Sequence, residues 1–368
     1  MRTKSITFIF PSPRQVPGGG PKVVYEYANR LASEGWSVKI AYAWHMRKEV
    51  FIRGVNPIRS LLGYIRYNIP YVINRNLKRL PSCRKWFNLD ARVEEVYPHT
   101  LDYAEMPRTD FYVATACSTA PFVRDYPVNN KHKLYLIQDY ETWNGRTDAE
   151  VRETYHYGLQ NIAVSRWLRD LVEEEGAECA LLLNGFDFTY FSQYVPFEEK
   201  DKMACSALYG EGRKGSVYAI EACEIVRRKY PKFRLIFFGV NSKPKNLPEW
   251  VEYYQSPNKE LLNKIYNEPA IFVGSSLQEG WGLPVGESMI CGAAVVCTDT
   301  LGYKEMVKDG ETGLICPIRD SNALANNIIR LIEDDQLRLR IAKLANSRIQ
   351  SYTWDNSFEK LKEILSVD

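Results

Sequence analysis

Glu279-Gly280-Trp281-Gly282-Leu283-Pro284-Val285-Gly286-Glu287 stands directly behind an apolar run, Ala270–Gly274, and a polar turn, Ser275-Ser276. A short apolar run bounded by such punctuation reads as a buried strand. Gly280 and Gly282 let the backbone turn sharply and approach a ligand closely. Pro284 suits the first turn of a helix, where its missing N–H is harmless, so a helix is expected over Val285–Cys291. Amides at a helix start can hold an anion. Glu279, in the loop, can hydrogen-bond ligand hydroxyls. Glu287, eight positions on, begins the helix and can grip a ribose. A tight turn with a capping glutamate has the same local pattern.

Working outward, β-rich runs alternate with helical patterns in two sections, as in parallel sheets built from βα units. The first section has strand candidates at Ser5–Phe10, Ser37–Ala43, Phe111–Thr115, Lys133–Ile137 and Asn161–Val164. Val23, Val24, Tyr27, Leu31 and Ala32 mark one face of a helix that Gly35 ends. The second section has strand candidates at Met203–Tyr209, Arg234–Gly239, Ala270–Val273, Ala294–Cys297 and Gly313–Cys316. Its helices are expected near Gly215–Lys229, Lys259–Tyr266, Ser321–Glu333 and Asp335–Gln350, and Phe186–Asp201 reads as a linker. The architecture that fits is α/β, with two doubly wound Rossmann-like domains facing a cleft. Residues 1–185 form the first domain and 186–352 the second. A last helix in 353–368 is expected to pack back toward the first.

The chain has 368 residues, 45% of them hydrophobic and 25% charged, which excludes a disordered or collagenous protein. No apolar stretch is long enough for a transmembrane helix. The apolar part of Met1–Phe10 is too short for a signal peptide. The eight cysteines show no CxxC spacing, so reduced thiols in a cytoplasmic protein are expected, with no metal site. The net charge is only +3, yet Arg47–Trp86 carries ten cations and a single acid, Glu49, with aliphatic and tyrosine residues threaded between them. That pattern reads either as a footprint on an anionic membrane surface or as a solvated helical face.

The stretch from Glu279 to Pro317 resembles the donor-binding segment of retaining GT-B glycosyltransferases of glycosyltransferase family 4. Glu279, Glu287, the strand Ala294–Cys297, Gly302, Glu305, Asp309-Gly310 and Gly313 follow the family order, and the likeness runs on to Thr353-Trp354. Asn184-Gly185-Phe186-Asp187 with Phe191 resembles the family's segment at the domain junction. Arg213-Lys214-Gly215 resembles the turn that opens a helix under the donor diphosphate. The family's arginine normally lies a few residues earlier, where this chain reads Leu208-Tyr209-Gly210, so that role falls to Arg213 or to none. Phe237-Phe238-Gly239 resembles the strand end beside the nucleotide base. Tyr135–Glu141 followed by Ser165-Arg166-Trp167-Leu168 resembles a rhamnosyltransferase-like, surface-polysaccharide subgroup of bacterial enzymes.

The resemblance implies a glycosyltransferase, hexosyl or deoxyhexosyl, that moves a sugar from a nucleotide-diphosphate sugar with retention and without a metal or other cofactor. Lys214 and Arg213 would hold the diphosphate, where a cation offsets developing charge. Glu279 would bind the sugar and Glu287 the ribose. Amides of Gly18, Gly19 and Gly20, and of Gly282 and Leu283, would lie near the diphosphate, with Gly280 and Trp281 also in the donor-binding loop and Gly239 near the base. Gly18–Gly20 lie between the first strand and helix, where glycines let amides face a phosphate; a flexible surface turn reads the same way. Asp139 and Glu141, at the end of the Lys133–Ile137 strand, are placed to orient the acceptor hydroxyl or take its proton, or simply to be solvated acids of a turn.

A dinucleotide-dependent oxidoreductase would require GxGxxG and an acid about 20 positions on, and Pro17–Pro21 supplies neither. The remaining alternative is a non-catalytic, two-domain sugar- or nucleotide-binding protein. The expected partners are a nucleotide sugar, a glycan or lipid-linked acceptor and an anionic membrane surface, with no nucleic acid. The expected location is cytoplasmic, peripheral on the inner face of the cell membrane.

Overall fold

A computed structural model describes residues 3–12, 16–43, 73, 80–143, 145–210 and 212–366. Contacts divide the chain into two compact units. One holds the residues up to Val164, Leu168–Leu182 and the chain from Lys362 on; the other holds Ser165–Trp167 and Leu183–Leu361.

The first unit is built on seven parallel strands: β1 (Ser5–Phe10), β2 (Ser37–Tyr42), β3 (Glu94–Val96), β4 (Phe111–Ala114), β5 (Lys133–Ile137), β6 (Gln160–Ala163) and β7 (Cys179–Leu181). Their order is β3-β2-β1-β4-β5-β6-β7. The strand order reverses between β1 and β4, and ligands of open α/β sheets bind at the carboxyl ends of strands at such a point. Helix α1 (Gly19–Ser33) follows β1 and buries Val23, Val24, Tyr27, Leu31 and Ala32, as its periodicity predicts. The helices α2 (Ala120–Arg124), α3 (Asp148–Glu153) and α4 (Arg166–Glu174) follow β4, β5 and β6. Thr147 and Glu150 close a reciprocal cap on α3.

The second unit has six parallel strands: β8 (Asp201–Leu208), β9 (Arg234–Gly239), β10 (Val251–Gln255), β11 (Pro269–Gly274), β12 (Ala294–Thr298) and β13 (Leu314–Cys316). Their order, β10-β9-β8-β11-β12-β13, is that of a doubly wound nucleotide-binding sheet, reversing between β8 and β11. The helices are α5 (Ser216–Lys229), α6 (Lys259–Asn267), α7 (Leu283–Ile290), α8 (Ser321–Glu333), α9 (Asp335–Ile349) and α10 (Trp354–Leu365). Leu235, Phe237, Ile271 and Val273 form a core with Ala219, Cys223 and Val226 of α5 and Leu324, Ile328 and Leu331 of α8. β11 is buried at all six positions, as expected of a central strand covered on both faces.

Three strands, β3, β7 and β10, escape the sequence reading. β3 and β10 end their sheets on one side and β7 ends the first sheet on the other. An edge strand is half-solvated, so EEV and VEYYQ lack the continuous apolar run that betrays a central parallel strand. The expected linker Phe186–Asp201 also needs correction at both ends. Asp201 opens β8, and Phe186 donates its N–H to Tyr352 O at 2.9 Å while its ring packs on α7. A Cβ on Gly286 would lie 2.1 Å from Phe186 Cζ, so only glycine admits the ring there.

All eight cysteines are free thiols. Among the described residues no helix is long and apolar enough to cross a membrane. Most of the cationic Arg47–Trp86 segment lies outside the described residues. Of its ten cations Lys85 and Arg84 are described; both are exposed, and Arg84 is also tied to neighbouring backbone. Its guanidinium donates to the carbonyls of Leu89 (2.6 Å), Asp90 (3.2 Å) and Val93 (2.7 Å), because that loop has carbonyls with no strand partner to satisfy them.

Candidate active site

In the second unit the loops leaving β8 and β11 are zipped together at the strand-order reversal. After β8 the chain passes Gly210 and a 3-10 turn, Gly212–Lys214, before α5 begins. Ser216 Oγ bonds both the N–H and the carbonyl of Gly210 at 2.9 Å. Leu277 N–H donates to Arg213 O (2.7 Å), and Ser275 Oγ donates to Lys214 O (3.1 Å). Gly215 makes this approach possible: its φ is +63°, and a Cβ there would lie 2.0 Å from Ser275 O.

The zipped loops bring together residues 65 apart in sequence. Lys214 Nζ lies 2.5 Å from Glu279 Oε1, and Ser276 Oγ donates to the same oxygen at 2.7 Å. The Glu279 side chain is 9% exposed and that of Lys214 27%, so a largely desolvated carboxylate faces a half-buried ammonium. The buried Tyr303 ring supports the loop from below. A Cβ on Gly282, whose φ is +97°, would fall 2.6 Å from that ring, and a Cβ on Gly302 would fall 2.3 Å from Glu279 O. Burial raises the Tyr303 phenol well above its ordinary pKa, and the Glu279 charge adds to this. Ser276 and Tyr303 were not singled out from the sequence, since neither type is diagnostic at those positions.

α7 begins at Leu283 with Gly282 as its N-cap and Pro284 in its first turn, as the glycine–proline pattern predicts. Glu287 lies on α7, 6% exposed, where its carboxylate accepts from the Tyr266 hydroxyl at 2.9 Å. Tyr266 is fully buried on α6 and its phenol is held protonated first by burial and then by the Glu287 charge. Arg213 is half-buried beside Lys214. Gly239 ends β9, where a Cβ would meet Tyr253 Oη at 2.9 Å and Tyr209 O at 3.1 Å.

The Trp281 side chain turns inward, 4% exposed, with its ring centroid 6.3 Å from Phe186 and 5.6 Å from Tyr352. A large apolar ring gains more from that pocket than from water, so only the Trp281 backbone remains available to a ligand.

In the first unit, Gly18 caps α1 without a side-chain bond and α1 has no acid in its first turn, so its leading amides are free of a nearby carboxylate on the helix. Gly20 packs against the Gln138 amide at the end of β5, with 3.3 Å between its notional Cβ and Gln138 Oε1. Asp139 accepts from Tyr140 N–H at 2.9 Å. Glu141 is turned inward and 9% exposed: Cys117 N–H (3.3 Å) and Sγ–H (3.2 Å) both donate to it. Burial raises its pKa above the usual 4.5, against the lowering effect of the Cys117 bonds and the Arg146 charge. The two neighbouring acids therefore occupy different environments.

A pH test follows. The folded carboxyl of Glu141 holds its proton more tightly than the unfolded one, so its contribution to stability is complete below about pH 4.5 and is lost as pH rises through the raised value. Glu141→Gln is accordingly expected to melt above wild type at neutral pH, with the gap closing near pH 4. A gap that stays constant from pH 4 to 8 would show that Glu141 titrates normally.

Residues 188–348 match the family described as "Glycosyl transferases group 1". The phosphatidyl-myo-inositol mannosyltransferase of Mycolicibacterium smegmatis is 24% identical over 53% of this chain and 54% of that protein. The corresponding protein of Mycobacterium leprae is 24% identical over 95% of this chain and 93% of its own length. The chain thus spans about half the length of several curated relatives, the M. smegmatis protein among them, and nearly all of the M. leprae one. Among solved structures, Anabaena HepE in complex with UDP-glucose superposes with a TM-score of 0.69 at 16% identity, covering 98% of this chain and 99% of HepE. That likeness establishes the fold: two Rossmann-like units of the GT-B type.

Proposed function

We propose that this protein is a glycosyltransferase that transfers a sugar from a nucleoside diphosphate sugar to a glycan or lipid-linked glycan, with retention of anomeric configuration. The observation that carries the reading is the Lys214–Glu279–Ser276 cluster at the β8/β11 reversal. An ammonium and a carboxylate converge at the place in a doubly wound sheet where nucleotides bind. Lys214 neutralises the departing diphosphate, whose charge grows as the glycosidic bond breaks. Glu279 accepts hydrogen bonds from sugar hydroxyls. Glu287, fixed by Tyr266, takes the ribose, and Arg213 adds a second cation near the phosphates. The departing phosphate oxygen receives the acceptor proton, so neither Asp139 nor Glu141 has to act as base. No metal or other cofactor takes part in this scheme.

The relatives sharpen the acceptor side. Phosphatidyl-myo-inositol mannosyltransferases and an N-acetylgalactosaminyltransferase named for a diphospho-undecaprenol acceptor are among them. A lipid-linked acceptor in cell-surface glycan synthesis is the reading we favour, as is a bacterial enzyme peripheral on the inner face of the membrane. The deciding experiment measures nucleoside diphosphate release from a panel of nucleotide sugars with lipid-linked acceptors, alongside thermal shift with nucleoside diphosphates and NAD. Stabilisation by NAD and by no nucleoside diphosphate would reject the transferase.

The cationic Arg47–Trp86 segment supports docking to an anionic leaflet, at about 1 kcal/mol per cation that faces the surface. Wild type is expected to co-sediment with vesicles containing anionic lipid at low salt and to be released as salt rises. Changing Arg59, Arg66, Arg75 and Lys78 to glutamate should abolish sedimentation. If both proteins stay in the supernatant, a soluble acceptor becomes the better reading.

A further inference from the structure

Ser165-Arg166-Trp167 lies in sequence between stretches of the first unit and belongs to the second. Two of its contacts converge on the segment that holds Glu279. Trp167 Nε1–H donates to Gly280 O at 3.1 Å. Arg166 grips Glu305 twice, through its backbone N–H and through Nη1, the latter at 2.7 Å from Oε2. The Glu305 side chain is 4% exposed, so this carboxylate depends on Arg166 for its compensating charge. Its carbonyl is also fastened, accepting from Tyr352 Oη at 2.8 Å. Glu305 closes the 3-10 turn Tyr303–Glu305, whose tyrosine ring underlies Gly282 and whose preceding Gly302 abuts Glu279 O. The loop from Glu279 to Gly282 is thus fixed on one side by Gly302 and Tyr303 and on the other by the Trp167 indole.

Within a trans peptide the carbonyl and the following N–H point in opposite directions. By holding Gly280 O, Trp167 sets which way the Gly280–Trp281 peptide plane faces, one residue after Glu279. We propose that Trp167 is a positioning residue for the Glu279 loop, with Arg166 and Glu305 as its anchor: its indole N–H fixes the Gly280 peptide and so the direction in which the Glu279 carboxylate is presented. This deepens the transferase reading and rests on it.

The test uses the full chain with Trp167→Phe, which keeps an aromatic ring and removes the N–H. Loss of one hydrogen bond that orients a reacting-site carboxylate is expected to lower kcat about tenfold, with donor KM and UDP affinity within about twofold of wild type. Amide exchange should quicken at residues 279–283 and stay unchanged in β11 and β12. Arg166→Ala should show the same split and Arg166→Lys, which keeps a cation opposite Glu305, should restore most of the rate. Wild-type kcat with unchanged loop exchange in Trp167→Phe would overturn the proposal, and so would faster exchange across the whole second unit with a lowered Tm, which marks a merely structural role. If wild type releases nucleotide from no nucleotide sugar, the transferase reading fails, while the exchange pattern still decides whether Trp167 orders the loop.

Discussion

Lys214→Ala and Glu279→Ala are each expected to lower kcat by about 100-fold or more, the scale seen when one charged or hydrogen-bonding contact to developing transition-state charge is removed. Their effects on nucleoside diphosphate binding should have opposite signs. The Lys214 ammonium is already engaged by Glu279 at 2.5 Å, so a diphosphate must compete with that carboxylate for it. Lys214→Ala deletes the cation and should weaken UDP binding about tenfold, within the range of a charge-assisted hydrogen bond. Glu279→Ala deletes the competitor and should tighten UDP binding by a few-fold, about 1 kcal/mol or less for a partly exposed pair. Titration calorimetry with UDP and turnover with a nucleotide sugar read the two quantities separately. If Glu279→Ala weakens UDP as much as Lys214→Ala does, Glu279 touches the nucleotide itself and the assignment to sugar hydroxyls is wrong.

Gly215→Ala should be the most destabilising single-methyl change at the site. A left-handed backbone costs a non-glycine residue about 1–2 kcal/mol. Here the added Cβ also lies 2.0 Å from Ser275 O, a backbone atom held by the β11 strand end. The two loops must part, and a total of about 3 kcal/mol or more is expected. At about 2–4 °C per kcal/mol for a unit of this size, Tm should fall by about 6–12 °C. Gly310→Ala is the control: φ is +71°, and nothing lies within 4 Å of its notional Cβ. It should show only the backbone cost. Equal losses in the two variants would mean that the close approach to Ser275 is not what makes Gly215 necessary.

The turn from Glu279 into α7 was legible in the sequence because its determinants are local. The expected helix starts at Val285 and the observed one at Leu283, and Gly282 caps it in the left-handed conformation that glycine uniquely tolerates. Central strands such as Arg234–Gly239 and Lys133–Ile137 coincide with their expected spans residue for residue, since after one charged first residue every position is buried and nothing charged interrupts the run. Edge strands were missed for the converse reason. Trp281 illustrates a different limit. Its position beside two glycines suggests ligand contact, but whether a ring turns toward a ligand or toward Phe186 and Tyr352 depends on what lies behind the loop.

By itself, then, the sequence determined the two doubly wound units, the glycine turns and the polar residue types of the loops, because backbone conformation and hydrophobic period are written within a dozen neighbouring residues. Only the tertiary structure decided which of those residues meet. Lys214 reaches Glu279 across 65 positions, Glu287 finds Tyr266, Glu141 turns inward to Cys117, and Trp167 comes to the Gly280 carbonyl from 113 positions away. Such pairings arise where strands β8 and β11 become neighbours and where a buried carboxylate must find a donor, and both are properties of packing that no short stretch of chain contains.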